Sequence, residues 1–281
     1  MIATRIIPRL DIKGPNLVKG IHLEGLRVLG DPAEFAKYYY ENGADELIYQ
    51  DVVASLYERN SLHDIISKTA KQIFIPITVG GGLRTIEDIK NVLRAGADKV
   101  SLNTAAIKNP KFIREASLQF GSSTIIIAIE AIKQANGEYH AYTDNGREES
   151  GLEVKNWAQK AEELGAGEIN ITSVDREGTG LGFDYELIKL VSDAVSIPVI
   201  AHGGAGKLEH TTEAIIKGNA HAVTLASLLH YDFIKNSYFI KKGEEGNTEF
   251  LNSGKSYSKI SPCNILEVKD HFRSLGINVR S

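Results

Sequence analysis

Eight short runs rich in β-branched and aliphatic residues recur along the chain: TRIIPRLD, ELIYQD, IPITVGGG, KVSLN, TIIIAIE, EINITSVD, IPVIAHGG and AVTLAS. Between them lie longer stretches whose apolar positions recur at helical spacing, among them DPAEFAKYYYENGAD, TIEDIKNVLRAGAD, LEVKNWAQKAEELGAG and KLEHTTEAIIKGNA. Several open on Asp or Thr and stop at Gly, as capped helices do. Strand followed by helix, repeated eight times, predicts a parallel sheet, and units of about 30 residues suit a closed (β/α)8 barrel better than an open doubly wound sheet. One barrel over residues 1–281 is the expected domain organisation.

The second half repeats the first. GADE at 43–46 returns as GAGE at 165–168, Asp51 as Asp175, Gly80-Gly81 as Gly203-Gly204, and Asn103-Thr104 as Ala226-Ser227, at offsets of 122, 124, 123 and 123. Two homologous half-barrels account for this periodicity. Residues 231–262, polar and punctuated by Gly and Ser, break the rhythm and read as an insertion around the eighth helix, followed by a last helical stretch near 263–275.

Composition narrows the function classes. With 42% hydrophobic and 24% charged residues the chain has ample core material, which excludes a disordered or fibrous protein. A net charge of −4 without a basic block argues against nucleic acid or an anionic membrane as partner. The single cysteine, Cys263, excludes an intrachain disulfide and any multi-cysteine metal site, and the eight histidines show no paired ligand spacing, so neither metal nor cofactor is expected. No signal peptide or membrane span is read in the sequence, and the expectation is a soluble, cytoplasmic protein.

In such barrels chemistry lies where the strands end. Asp11 closes the first strand and Glu130 the fifth, opposite each other across an eight-stranded ring, a pairing suited to general acid and general base work. Two phosphate cradles are expected. One is built from Gly81, Gly82, Asn103 and Thr104, the other from Gly203, Gly204, Ala226 and Ser227, flanked by Glu177 and Gly178 in DREGTG. Together they suggest a ligand with a phosphate at each end. Pleat parity puts Arg5, Ile7, Arg9 and Asp11 on one face of the first strand. If Asp11 points inward, Arg5 does so near the opposite end, where Glu46, Lys99 and Glu168 begin strands of their own and can form a neutral ring with it. A purely structural salt-bridge cluster is the alternative for those four.

These segments together resemble the HisF family, the cyclase subunit of imidazole glycerol phosphate synthase, along nearly the whole chain outside 231–262. RLDIKGPNLVKG, DELIYQDVVAS, ITVGGG, GADKVSLNTAA, GAGEINITSVDREGTG, IAHGGAGK and the terminal GINVR carry the likeness. The resemblance implies a barrel joined to a HisH-like glutaminase whose ammonia crosses the interior to a bis-phosphorylated aminoimidazole carboxamide ribonucleotide. It further implies Asp11 as catalytic acid/base, Lys19 on a mobile substrate-side loop, Arg5, Glu46, Lys99 and Glu168 as an ammonia gate, and Asp98 at the glutaminase face.

The departures fall at the chemistry. Glu130 stands where the family has Asp, and one extra methylene moves a carboxylate by about 1 Å, enough to cost about 100-fold in rate. Glu177 replaces another Asp, Pro8-Arg9 precede Asp11, the first loop carries Gly14-Pro15-Asn16, and TDNGREESG lacks a Thr before its last Gly. This combination resembles a divergent branch serving acetamidino-sugar synthesis for surface polysaccharide, with ammonia passed to a separate sugar amidotransferase. The family cyclase reaction and a non-catalytic scaffold for the glutaminase are the alternatives.

Overall fold

The computed structural model describes residues 3–54, 62–236 and 259–280. Its strands are β1 (Arg5–Lys13), β2 (Asn16–Ile21), β3 (Glu24–Gly30), β4 (Leu47–Asp51), β5 (Ile77–Gly80), β6 (Lys99–Leu102), β7 (Ile125–Lys133), β8 (Tyr139–Thr143), β9 (Glu148–Glu153), β10 (Glu168–Ser173), β11 (Val199–His202) and β12 (Ala222–Leu225). The eight strands expected from the sequence are β1, β4, β5, β6, β7, β10, β11 and β12. Each pairs in parallel with the next, and β12 returns to β1 with Arg5 opposite Ala222 and Ile7 opposite Thr224. The sheet is therefore a closed (β/α)8 barrel.

Around it run α1 (Pro32–Glu41), α2 (His63–Ala70), α3 (Ile86–Ala95), α4 (Thr104–Lys108), α5 (Lys111–Phe120), α6 (Val154–Glu163), α7 (Tyr185–Ser192), α8 (Leu208–Ile216), α9 (Ser227–Asn236) and α10 (Ile265–Ser274). Their boundaries are chemical. Asp31 caps α1 by accepting from Ala33 N ahead of Pro32, and Thr85 with Asp88 forms a capping box on α3 that ends at left-handed Gly96. Asn264 and Glu267 repeat the capping box on α10. None of the described helices is long and apolar enough to cross a membrane.

Alternation along β1 divides the core. Ile6, Leu10 and Ile12 face the helices in the large apolar layer that also holds Trp157, while Ile7 belongs to a separate interior cluster with Ile48, Ile126, Ile200 and Ala222. Arg5 and Arg9 flank Ile7 on that inward face, below and above. The C-terminal helix is latched by an ion pair buried on both sides, Lys269 Nζ to Asp45 Oδ1 at 3.0 Å, and Asp45 Oδ2 accepts from Ile6 N at 2.8 Å.

Two features differ from the sequence expectation. The segments after the first and fifth barrel strands are antiparallel hairpins, β2–β3 continuing from β1 and β8–β9 from β7, where loops were expected. Their turns carry positive φ at His22 and Leu23 and at Asp144 and Asn145, positions again 122 apart, so the duplication extends to the rim. The turns meet: Asn145 Nδ2 donates to Leu23 O at 2.8 Å and Arg147 Nε lies 3.5 Å from Glu24 Oε1. Of the stretch expected as an insertion, residues 231–236 continue α9 through Asn236 on the buried contacts of Leu228, Leu229 and Phe233. The body of that stretch, 237–258, lies outside the described residues, and at its return Ser261 N donates to Gly206 O at 2.7 Å.

Candidate active site at the barrel mouth

At the N-terminal ends of the strands the four expected charges meet in a closed ring. Arg5 donates to Glu46 Oε1 at 2.8 Å and to Glu168 Oε2 at 2.8 Å, and Lys99 Nζ donates to Glu46 Oε2 at 3.0 Å and Glu168 Oε1 at 2.7 Å. Burial opposes ionisation of both Arg5 and Glu168. Their mutual hydrogen bonds and charges prevail, so the guanidinium is held above and the Glu168 carboxyl below its ordinary value. Beneath the ring a pocket of about 370 Å³ adds His221, Arg280 and Pro198. Asp98 is exposed at this end and accepts from Ile77 N at 2.8 Å, the same capping service that Asp45 gives β1. Above the ring, Thr78, Asn170 and Thr224 are fully or almost fully buried. Their Oγ1, Oδ1 and Oγ1 atoms have no hydrogen-bond partner among the described residues.

At the mouth the inward alternation of β1 brings Arg9 and Asp11 together, Nε to Oδ1 at 2.7 Å. One Arg9 Nη lies 3.3 Å from His202 Nδ1 on β11, and Thr172 Oγ1 of β10 lies 3.1 Å from the same nitrogen. An arginine only donates, so His202 Nδ1 accepts and its proton sits on Nε2. The ring is neutral, in keeping with burial and the nearby Arg9 and Lys19 charges, which hold its pKa well below the ordinary histidine value. Glu130, level with Thr172 in the β7–β10 register, accepts from Gly146 N at 2.8 Å. Burial pushes its carboxyl up to about 7 against the opposing pull of Arg9 and the Gly146 hydrogen bond, with Asp144 and Asp11 adding repulsion.

Glu130 and Arg9 line a cavity of about 360 Å³ that also contains Gly81, Gly82, Asn103 and Thr104, the first expected cradle in full. Asp11 does not line it. Gly81 has φ +97, and a Cβ there would stand 2.2 Å from Asp51 O, so only glycine allows this approach of the two loops. Asn103 Nδ2 donates to Tyr142 O at 3.1 Å and Thr104 Oγ1 accepts from Asp144 N at 3.2 Å, tying the cradle to the β8–β9 hairpin. Arg84 and Lys108 add two cations to this wall. Sequence reading passed over both because they follow the strand ends by several residues.

The second cradle is arranged differently. Gly178 and Ser227 line a separate pocket of about 310 Å³ with Lys19, Gly20, Arg27 and Tyr231. Gly203, Gly204 and Ala226 do not line it. Added Cβ atoms on Gly203 and Gly204 would meet Ser173 O at 2.7 Å and Gly182 O at 2.2 Å, so both positions require glycine, as Gly81 does in the first cradle. Lys19 and Glu177 are bonded to each other, Nζ to Oε1 at 2.5 Å, while Glu177 Oε2 accepts from Leu23 N at 2.9 Å. The two pockets share no lining residue, and the Arg9, Asp11, Lys19 and Glu177 charges cluster at the barrel top.

The chain is similar to known proteins along most of its length. Residues 5–235 match the family model described as histidine biosynthesis protein. A protein of Legionella pneumophila named imidazole glycerol phosphate synthase subunit HisF is 59% identical over 209 residues, covering 74% of this chain and 99% of its own length. Proteins of the same name from Alkaliphilus metalliredigens and Methanocaldococcus jannaschii are 47% and 48% identical, covering 83% and 82% of this chain and 92% of each relative.

Proposed function

The chain belongs to the histidine biosynthesis protein family, in its HisF group, and on that premise we propose that it is the ammonia-consuming cyclase subunit of an imidazole glycerol phosphate synthase. In this reading a HisH-like glutaminase docks beneath the charge ring, near Asp98. Ammonia enters past Arg5, Glu46, Lys99 and Glu168 and meets the bis-phosphorylated aminoimidazole carboxamide ribonucleotide at the mouth, giving imidazole glycerol phosphate, aminoimidazole carboxamide ribonucleotide and water.

The observation that carries the reading is the interior between ring and mouth. A barrel core normally closes with apolar side chains, yet here Thr78, Asn170 and Thr224 keep unpartnered polar atoms buried above the ring. Such atoms can hydrogen-bond a small polar molecule, water or ammonia, along the interior. Glu130, with its carboxyl raised to about 7, is then placed to exchange a proton at neutral pH, and the two pockets are placed to take the two phosphates.

A second reading, ammonia supply to a separate sugar amidotransferase in acetamidino-sugar synthesis, is favoured by one feature. Arg9 engages Asp11 and faces the main cavity, which Asp11 does not line. Ammonia-dependent consumption of the ribonucleotide by the purified protein, at saturating ammonium and alkaline pH, separates the two. Turnover that is lost in Glu130→Gln is expected of the cyclase. Absence of turnover in a folded protein with its glutaminase bound would overturn it and favour ammonia supply.

A further inference from the structure

Arg9 is the least expected side chain of the mouth. It sits between apolar Ile7 and Asp11 on the inward face of β1, is 4% exposed, and still reaches the wall of the main cavity. Its located contacts use two of its five N–H groups, Nε on Asp11 and one Nη on His202. His202, neutral for the tautomeric reason given above, buttresses the guanidinium from β11 without adding a second charge. The other cations of the wall are exposed and so more strongly screened: Arg84, whose Nη2 donates to Ala54 O at 2.9 Å, and Lys108, whose Nζ lies 3.8 Å from Asp144 Oδ2. The remaining charged groups of that wall, Asp51, Glu130 and Asp144, are carboxyls, which repel an anion when ionised.

We propose that Arg9 determines specificity at the mouth: its guanidinium receives a carboxylate or carbonyl oxygen of a ligand whose phosphate occupies the cradle of Gly81, Gly82, Asn103 and Thr104. The planar fork of an arginine suits a carboxylate, and of the two arginines on this wall Arg9 is buried while Arg84 is exposed, a setting that strengthens the hydrogen bond at Arg9. Asp11 then acts through Arg9, holding the guanidinium in place as a positioning residue, and proton exchange with the ligand falls to Glu130. A cavity of about 360 Å³ is large enough for a small molecule bearing both groups. The inference rests on the reading of this mouth as a phosphate-binding site, and not on which ammonia-dependent reaction the protein performs.

The test is titration calorimetry with two probes that differ at one end, 3-phosphoglycerate, which carries a carboxylate, and glycerol 3-phosphate, which does not. The wild-type chain is expected to bind 3-phosphoglycerate at least about tenfold more tightly, the scale of one charge-assisted hydrogen bond. Arg9→Gln is expected to remove that preference while leaving glycerol 3-phosphate affinity within about twofold. Should the single variant fail to fold because Asp11 is left unpaired, Arg9→Gln combined with Asp11→Asn removes both charges and reads the same preference. Equal binding of the probes by the wild type, or a preference that survives the loss of Arg9, would overturn the role of Arg9 and leave the phosphate cradle standing. Binding of neither probe would overturn the cradle and the inference together.

Discussion

Lys19 of the β2–β3 hairpin and Glu177 of the loop after β10 form a buried ion pair at 2.5 Å, and it fastens the first rim hairpin to the opposite half of the barrel. The same carboxylate accepts from Leu23 N, and His22 N donates to Glu177 O at 3.0 Å, so three bonds converge on one residue.

Breaking that pair frees the hairpin. Lys19→Ala leaves the Glu177 carboxylate buried without its cation, a loss of about 3 kcal/mol where partners are buried. Amide exchange at Leu23 is therefore expected to accelerate by about 100-fold, with barrel-strand amides unchanged. Uniform acceleration across the barrel would show the pair supporting the whole fold instead.

Removal of one member of the floor ring is expected to be costly whatever the ring transmits. Arg5→Ala strips two buried carboxylates, Glu46 and Glu168, of one of their two shared partners, leaving only Lys99 between them, and is expected to lower unfolding free energy by about 3 kcal/mol in urea titration. If the ring also gates ammonia, glutamine-driven and ammonium-driven turnover of the glutaminase complex will respond differently to Arg5→Lys, which keeps the charge and loses the fork.

Glu130 makes stability depend on pH in a defined direction. Its carboxyl titrates near 4.5 when unperturbed and at about 7 in the folded protein, where burial, offset by Arg9 and the Gly146 amide and reinforced by Asp144 and Asp11, sets the balance. Between those values the native state holds a proton the unfolded chain has released, so this carboxyl makes stability fall as pH rises from about 4.5 to about 7 and level off above. Glu130→Gln keeps an acceptor for Gly146 N and removes the titration. The variant is expected to match the wild type near pH 4 and to exceed it above pH 7 by up to about 3 kcal/mol, less where solvent reaches the carboxyl. Denaturation at pH 5, 6 and 8 measures the slope, and identical slopes would contradict the assignment.

Gly81→Ala places a methyl group 2.2 Å from Asp51 O at a backbone φ of +97. Both loops must move, so phosphate-ester affinity in the main cavity is expected to fall by at least about tenfold, with Tm lowered by several degrees. Unchanged affinity in calorimetry would place the phosphate elsewhere.

The barrel and its charged floor were legible because strand alternation fixes direction. Once Asp11 is inward, Arg5, Ile7 and Arg9 are inward too, and the structure places Ile7 with Ile48, Ile126 and Ile200 as that parity requires. What lay beyond reach depended on side-chain conformation and loop geometry. Little in His22-Leu23 announces a turn, since leucine disfavours positive φ, whereas Asp144-Asn145-Gly146 carries the usual signal. The choice of Asp11 by Arg9 over Glu130 also needs the fold, because a long arginine on an inward face can reach several partners. Gly203 and Gly204 repeat the close loop approach of Gly81, against Ser173 O and Gly182 O, but the separate pocket that takes in Gly178 and Ser227 was not legible from their spacing.

The contact between Leu23 and Asn145 joins hairpins from opposite halves of the chain. They stand as two ribs of a vault, each propped by the other at the crown. Lifting either rib breaks the bond from Asn145 to Leu23, so a guest that raises one also takes a support from the other. Duplication thus left the protein with more than a doubled set of anchors. It gave the rim a crown where the halves report to each other.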